Sequence, residues 1–434
     1  MKAILPHQIT DRTVSVPGSK SYTHRALIAA ALSDGACRVT GMLDSEDTRL
    51  TRAALKQMGV SSRPDGPDLI IQGRGGRLDP VSAPIELGNS GTSMRLLAAV
   101  AALGQGRYVL QGSARMAQRP MGDLLDALNQ IGVPARSLAT NGCPPVEIIG
   151  DHAVGGPVRI DCHLSSQFLS ALLLIAPCCR KTVDIEVVRG PVSRPYVDLT
   201  CAIMEHCGIR LSRDGYTRFT IPGGQRYRAA EIQVETDCSQ ASYFWAAAAV
   251  TGGRVKVRGI GRHSLQGDLG LVRILERMGC RVDFEDDGVA VKGEPLSAVE
   301  VDMADMPDVV PTLAVVAAFA AGTTIITGVG HLREKETDRL AAVATELNRM
   351  GIRAETGEDW LRIAGGCPAS ASIETYDDHR MAMSFAVAGL KTEGVVIRHP
   401  EVVGKSFPLF WQVFNKLYRN DNLDSFFDAG FKLL

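Results

Sequence analysis

The sequence predicts an α/β fold made of six copies of one unit, and three observations carry this. A Leu-x-x-Met-Gly-like helix end recurs five times: Leu55–Gly59, Leu128–Gly132, Met204–Gly208, Leu275–Gly279 and Leu347–Gly351. Its glycines lie 73, 76, 71 and 72 residues apart. Each helix end is followed by a strand, a turn and a second strand closing on Gly. Each lies downstream of an Ala/Leu-rich stretch that runs into a β-branched one.

Along the chain, Lys2–Leu5 and Thr13–Val16 read as a hairpin-like piece before Pro17-Gly18. Ala29–Gly41, Ala98–Gly112, Ala246–Gly259 and Ala317–Gly328 each pass from helix-favouring Ala to strand-favouring Val, Ile and Thr. The five glycines then stop a second helix, because Gly reaches the left-handed C′ conformation without strain. Leu69–Gly73, Val146–Gly150, Phe219–Gly223, Val289–Gly293 and Leu361–Gly365 are the closing strands. One unit therefore reads helix, strand, helix, strand, strand. The sixth begins near Asp378 and ends in a helix over Phe410–Tyr418 with no clear terminal hairpin, so the start of the chain is expected to complete it. Six units divide most simply into two domains of three. One is continuous, residues 19–236; the other is discontinuous, residues 1–18 plus 237–434. Two domains joined by two crossovers make a cleft, where ligands commonly bind.

Composition narrows the function. Lys plus Arg is 47 against 48 for Asp plus Glu, so no bulk charge grips nucleic acid. Apolar runs such as Ala171–Pro177 and Val315–Ala321 are too short to span a bilayer, and Met1–Asp11 has no signal-peptide core. Ten Cys without a CxxC pair fit free thiols in a cytoplasmic protein. No HExxH, HxH, P-loop or strand-flanked GxGxxG occurs, so no motif supports a metal or a Gly-rich phosphate loop.

The polar residues gather where each unit opens. Ser21, Thr92, Ser166, Ser239, Asp308 and Asp378 are 71, 74, 73, 69 and 70 residues apart, each at the start of an Ala/Leu/Met-rich helix. Helix N-termini present free N–H groups and the positive end of the macrodipole, which suits anions. Lys20, Arg25, Arg95, Arg119, Arg194, Lys335, Arg339, Arg380 and Lys405 stand near these starts or in the loops between them. Taken singly, each cation is most simply a solvated charge. Recurring beside Ser, Thr and Gly at helix starts, they suit ligands rich in phosphate and carboxylate. Asp308 and Glu336 add acid–base capacity, although a cap and an ion-pair partner are their plainer roles.

The motifs Pro17–Arg25 (PGSKSYTHR), Leu87–Arg95 (LGNSGTSMR), Arg115–Met121 (RMAQRPM), Ser165–Leu173 (SSQFLSALL), Ser193–Asp198 (SRPYVD), Lys335–Leu340 (KETDRL) and Asp377–Met383 (DDHRMAM) closely resemble the 5-enolpyruvylshikimate-3-phosphate synthase family, over the chain to about Tyr418. The resemblance implies two inside-out α/β barrels, each of three βαβαββ units. It implies transfer of the enolpyruvyl group of phosphoenolpyruvate to the 5-hydroxyl of shikimate 3-phosphate, with release of phosphate and no cofactor. Shikimate 3-phosphate would be held by Lys20, Ser21, Arg25, Ser165, Ser166, Gln167, Ser193, Tyr196, Asp308, Lys335 and His331, the last standing where Asn is usual. Phosphoenolpyruvate would be held by Lys20, Gly91, Arg119, Gln167, Arg339, Arg380 and Lys405. Catalytic work is expected of Asp308 as base, Glu336 as donor to the methylene carbon with Lys405 as rival, and Lys20. A monomer with small-molecule partners and sensitivity to glyphosate follow from the same resemblance. The chain departs from the family in a tail past the usual end, Arg419–Leu434, whose Phe426, Phe427 and Phe431 are expected to dock on the body rather than on a partner.

A sister transferase acting on UDP-linked N-acetylglucosamine is the nearest alternative. It carries a reactive Cys in a loop that here reads Arg115–Pro120 and holds none. An RNA 3′-phosphate cyclase would need a nucleotide site, and a non-catalytic repeat scaffold would not need the gathered polar starts.

Overall fold

The structure, a computed structural model, describes residues 1–151 and 153–418; the expected docking of the tail falls outside them. Twelve α-helices are found there: α1 (Lys20–Leu32), α2 (Glu46–Gln57), α3 (Gly91–Ala101), α4 (Gly122–Gln130), α5 (Gln167–Ile175), α6 (Pro195–His206), α7 (Cys238–Thr251), α8 (Gly270–Arg277), α9 (Val310–Ala317), α10 (Arg339–Arg349), α11 (His379–Gly389) and α12 (Phe410–Asn415).

Five four-stranded sheets and one three-stranded sheet accompany them, one per unit. In the second unit Ile85–Glu86 runs parallel to Gln105–Gln111, which pairs antiparallel with Val146–Asp151, and that with Ala135–Ser137. The same order recurs, giving the expected βαβαββ unit. Each unit's first helix is buried almost all round. All 14 residues of α7 and all 11 of α3 and α11 are buried, while α2 and α8 bury one face. The helices buried all round therefore fill the middle and the sheets lie outside: an inside-out α/β barrel, formed twice.

Two hydrophobic cores separate the halves. One runs from Ala26 to Val234; the other joins Ile4–Val16 to residues between Cys238 and Leu417. Glu231–Gln233, at the end of the first half, pairs parallel with Arg38–Thr40 and supplies the first unit's opening strand. The N-terminal segment is not a hairpin. Lys2–Ala3 pairs with Val396–Ile397 and completes the sixth unit, as expected. Asp11–Val14 instead pairs with Arg254–Val257 and opens the fourth. Both pieces are extended edge strands, and partners hundreds of residues away outweigh each other.

The glycines bear the repeat. Gly59, Gly132, Gly208, Gly279 and Gly351 all have positive φ, from 76° to 116°, where other residues are strained. The closing glycines serve differently. A Cβ on Gly73 would lie 2.2 Å from the Ser33 carbonyl oxygen, on Gly293 2.2 Å from that of Ala248, and on Gly365 1.9 Å from that of Ala320. Each closing strand thus lies against the C-terminal end of its unit's first helix. At the crossovers, Ser19 N–H donates to the Glu235 carbonyl (2.7 Å) and Asp237 N–H to that of Pro17 (3.0 Å), so the two connections run side by side.

Candidate active site

The first helices point their N-termini at the seam between the halves. Ser19, Ser90, Asp237 and Asp378 cap α1, α3, α7 and α11 by accepting backbone N–H bonds. Ser21, Thr92 and Ser239 follow in the first turns, Ser166 stands at the cap of α5, and Asp308 lies in the short 3₁₀ turn before α9. One cavity at this seam is lined by Lys20, Ser21, Arg25, Thr92, Arg119, Ser165, Ser166, Gln167, Ser193, Tyr196, Asp308, Lys335, Glu336, Arg339 and Arg380. Gly91, His331 and Lys405 are not part of that lining. A Cβ on Gly91 would lie 2.5 Å from Arg119 Nη2. His331 is buried and its Nε2 has no hydrogen-bond partner.

Each side chain is held by its neighbours. Arg25, 1 % exposed, donates to Thr200 Oγ1 (2.7 Å), Ser170 Oγ (3.1 Å) and the Ser21 carbonyl (2.9 Å). Gln167 is fixed between Arg95, whose Nη1 donates to its Oε1 (2.9 Å), and Thr92, which accepts from its Nε2 (3.0 Å). Arg339 is 1 % exposed and serves three carboxylates: Asp378 at 2.7 Å, Glu336 at 2.8 Å and Asp308 at 3.1 Å. Arg380 donates to the other Asp308 oxygen at 2.6 Å.

These pairings set the charges. Burial pushes the Asp308 carboxyl up, but Arg380, Arg339, Lys335 and Lys20 outweigh it and hold it well below the usual range. Burial likewise opposes ionisation of Glu336, and Arg339, Arg119, Lys20 and Lys405 hold it well below. Both are carboxylates in this arrangement. Burial lowers Lys335 to about 8 and His331 to about 3, so that imidazole is neutral. Burial works against the charge of Lys20, yet Asp47 and Glu336 leave its pKa raised.

Several contacts of the site are not legible in the sequence. Asp47, 2 % exposed in α2, holds Lys20 at 3.0 Å and Lys405 at 3.3 Å, one from each half. The Asn89 carbonyl accepts from Lys405 (2.9 Å) and from Arg119 (3.2 Å). Arg115 donates to the Arg333 and Lys335 carbonyls at 2.9 and 3.0 Å, also across the seam. The acid pair Glu46-Asp47 looks like ordinary first-turn charge, and Arg115 looks solvated, so only the tertiary fold shows their use. Among the described residues no three His, Cys, Asp or Glu gather as a metal site, and no helix is long and apolar enough to cross a membrane.

The sequence profile of the EPSP synthase (3-phosphoshikimate 1-carboxyvinyltransferase) family matches residues 6–414. The chain belongs to that family. It is 46 % identical over 420 residues to a 3-phosphoshikimate 1-carboxyvinyltransferase of Syntrophobacter fumaroxidans, covering 96 % of this chain and 99 % of the relative. A protein of the same name from Sulfurovum is 45 % identical, covering 95 % of this chain and 98 % of the relative. Among solved structures, EPSP synthase from Acinetobacter baumannii superposes with a TM-score of 0.81 at 30 % identity, covering 96 % of this chain and 97 % of that one. The enolpyruvyl transferase NikO from Streptomyces tendae, at 20 % identity and a TM-score of 0.76 over 96 % of each chain, shares the fold. The family's two-barrel architecture is thus the one in which the polar helix starts converge.

Proposed function

We propose that the chain is a 3-phosphoshikimate 1-carboxyvinyltransferase, moving the enolpyruvyl group of phosphoenolpyruvate to the 5-hydroxyl of shikimate 3-phosphate. Residues 19–236 form one domain and residues 1–18 with 237 onward the other. The observation that carries the reading is the cavity at their seam, where six Lys and Arg side chains converge with a three-carboxylate cluster on Arg339. Six cations around one cavity suit two polyanions, and ionised carboxylates suit proton transfer.

Lys20, Ser21, Arg25, Ser165, Ser166, Gln167, Ser193, Tyr196, His331 and Lys335 bind shikimate 3-phosphate. Lys20, Gly91, Arg119, Gln167, Arg339, Arg380 and Lys405 bind phosphoenolpyruvate. Asp308, ionised by Arg380 and Arg339, takes the hydroxyl proton as the oxygen attacks C2 of phosphoenolpyruvate. C3 takes a proton from Glu336 or Lys405. Glu336 is held ionised by four cations, so it can donate only after gaining a proton, and two bound polyanions raise its pKa by drawing on those cations. The adduct then loses phosphate from C2 and a proton from the new methyl group, so the donor becomes the base. Arginine and lysine stabilise charge on the departing phosphate.

The enzyme works as a cytoplasmic monomer on small molecules, without nucleic acid, membrane or cofactor. Incubation with phosphoenolpyruvate and shikimate 3-phosphate in the presence of a chelator should release inorganic phosphate. Activity only with UDP-N-acetylglucosamine, or only with a divalent ion, would reject the proposal.

A further inference from the structure

Behind Asp308 lies a second carboxyl that the reaction just described does not use. Asp268 sits in the 3₁₀ turn Gly267–Leu269 ahead of α8 and is 3 % exposed. Its Oδ1 has no hydrogen-bond partner, and among the described residues no Lys or Arg lies within ion-pair distance of it. Its Oδ2 lies 3.0 Å from the Tyr196 hydroxyl, which lies 3.3 Å from Asp308 Oδ2. Tyr196 comes from α6 in the first half; both aspartates belong to the second.

The proton count is decisive. One phenol O–H stands between two carboxyls and can be donated to only one. With Asp268 ionised, the nearer Asp268 oxygen takes that hydrogen, and Asp308 is left facing a phenol lone pair. With a proton on Asp268, all three groups are satisfied in one direction: Asp268 O–H donates to the Tyr196 oxygen, and Tyr196 O–H donates to Asp308. Arg380 and Arg339 already hold Asp308 as the ionised end, while Asp268 has no ion-pair partner in a buried site. Burying an unpaired carboxylate is costly, and the group takes a proton instead.

We propose that Asp268 is a positioning residue of the transfer reaction: a buried neutral carboxyl that donates to Tyr196 and so turns the tyrosine hydroxyl onto Asp308. Its proton decides which carboxylate Tyr196 serves, and thereby holds the proposed base at a fixed orientation across the seam. Burial and then the Asp308 charge push the Asp268 carboxyl up to about 7, within the working range. The titratable groups facing it are Tyr196 from α6, Asp237 and Cys238 at the start of α7, Asp308, and Arg380 from α11. Only Arg380 opposes the rise by charge, and its Nη2 is bound to Asp308.

The role rests on the transferase reading, and two measurements on the full-length protein separate them. The first is phosphate release from phosphoenolpyruvate and shikimate 3-phosphate against pH. Asp268→Leu should lower kcat by roughly ten- to a hundredfold, the scale of a reacting group misplaced by about 1 Å, with KM for phosphoenolpyruvate little changed. Asp268→Asn, whose amide N–H donates to Tyr196 as the acid does, should restore most of that loss. It should also remove a fall in kcat that the wild type shows as pH rises through about 7. The second needs no substrate: infrared difference spectra across the same range should show a protonated carboxyl band that disappears at high pH in the wild type and is missing in Asp268→Asn. Identical carboxyl bands in the two proteins overturn the role of Asp268 whatever the activity. An unchanged alkaline limb in Asp268→Asn, or full kcat in Asp268→Leu, overturns it within an active enzyme. A wild type inactive on these substrates but showing the band removes the transferase reading and leaves the neutral carboxyl standing.

Discussion

Replacing Arg339 by Met tests whether the three-carboxylate cluster is held by one guanidinium. Met matches the length of the stem and removes the charge. Asp378, 0 % exposed, loses a 2.7 Å partner, Glu336 a 2.8 Å partner and Asp308 a 3.1 Å partner. Asp308 keeps Arg380 at 2.6 Å, and Glu336 keeps the charges of Arg119, Lys20 and Lys405. Removing one partner from a buried ion pair costs about 3–5 kcal/mol, and that is the loss expected near neutral pH. In the wild type, Asp308 and Glu336 have folded pKa values below their unfolded ones. Their stabilisation is therefore complete above about pH 4.5 and is lost only as pH falls through the folded values. In Arg339→Met the Glu336 carboxyl rises, but Arg119, Lys20 and Lys405 still hold it down, so it stays ionised between about pH 7 and about pH 5. The deficit should therefore be nearly the same at about pH 7 and about pH 5, changing by less than about 1.4 kcal/mol, the worth of one pKa unit. Urea unfolding followed by tryptophan fluorescence reads this directly, because Trp245, Trp360 and Trp411 all lie in the half that carries Arg339. A deficit under about 1.5 kcal/mol, or one that shrinks by more than about 1.4 kcal/mol between those pH values, would refute the reasoning.

Asp308→Asn and Glu336→Gln should each keep substrate KM within about tenfold and lower kcat by roughly a hundredfold or more, the scale of general acid–base work; near-normal turnover would return that residue to a structural role. Lys335, lowered to about 8 by burial, is charged below that pH. The kcat/KM for shikimate 3-phosphate should therefore fall as pH rises through about 8, and Lys335→Arg should move that fall upward. In Gly91→Ala the new methyl meets the flexible end of Arg119, which must move aside. Inhibition by the longer molecule glyphosate should weaken far more than phosphoenolpyruvate KM rises; equal losses would show that the displaced guanidinium carries the effect.

Much of the fold was legible because its punctuation is local. Gly59 or Gly351 at positive φ is demanded by the residues beside it, and its spacing to the next shows the unit. The polar helix starts were legible for the same reason, since Ser19, Ser90 and Asp378 cap their own helices. What could not be read is what joins distant segments. Thr13–Val16 beside Lys2–Leu5 has the form of a hairpin, and nothing local says that the two pieces go to different sheets. Asp47 is one of two acids opening α2, and only the approach of Lys20 and Lys405 gives it a task. Asp268 follows Gln266-Gly267 in what reads as a loop, and its proximity to Tyr196 depends on the seam between the halves.

The division of the first 14 residues between two sheets also imposes an order on biosynthesis. The first half can close once Glu231–Gln233 has left the ribosome, because that strand is the last its sheets need. The second half cannot. Lys2–Ala3 must wait for Val396–Ile397, made almost at the end. At about 5–20 residues per second, the interval from Gln233 to Ile397 is roughly 8–30 s. Asp11–Val14 gains its partner Arg254–Val257 early in that interval, but Lys2–Ala3 stays unpaired throughout it, so chaperone capture and premature association should concentrate on that first strand rather than on the barrel behind it.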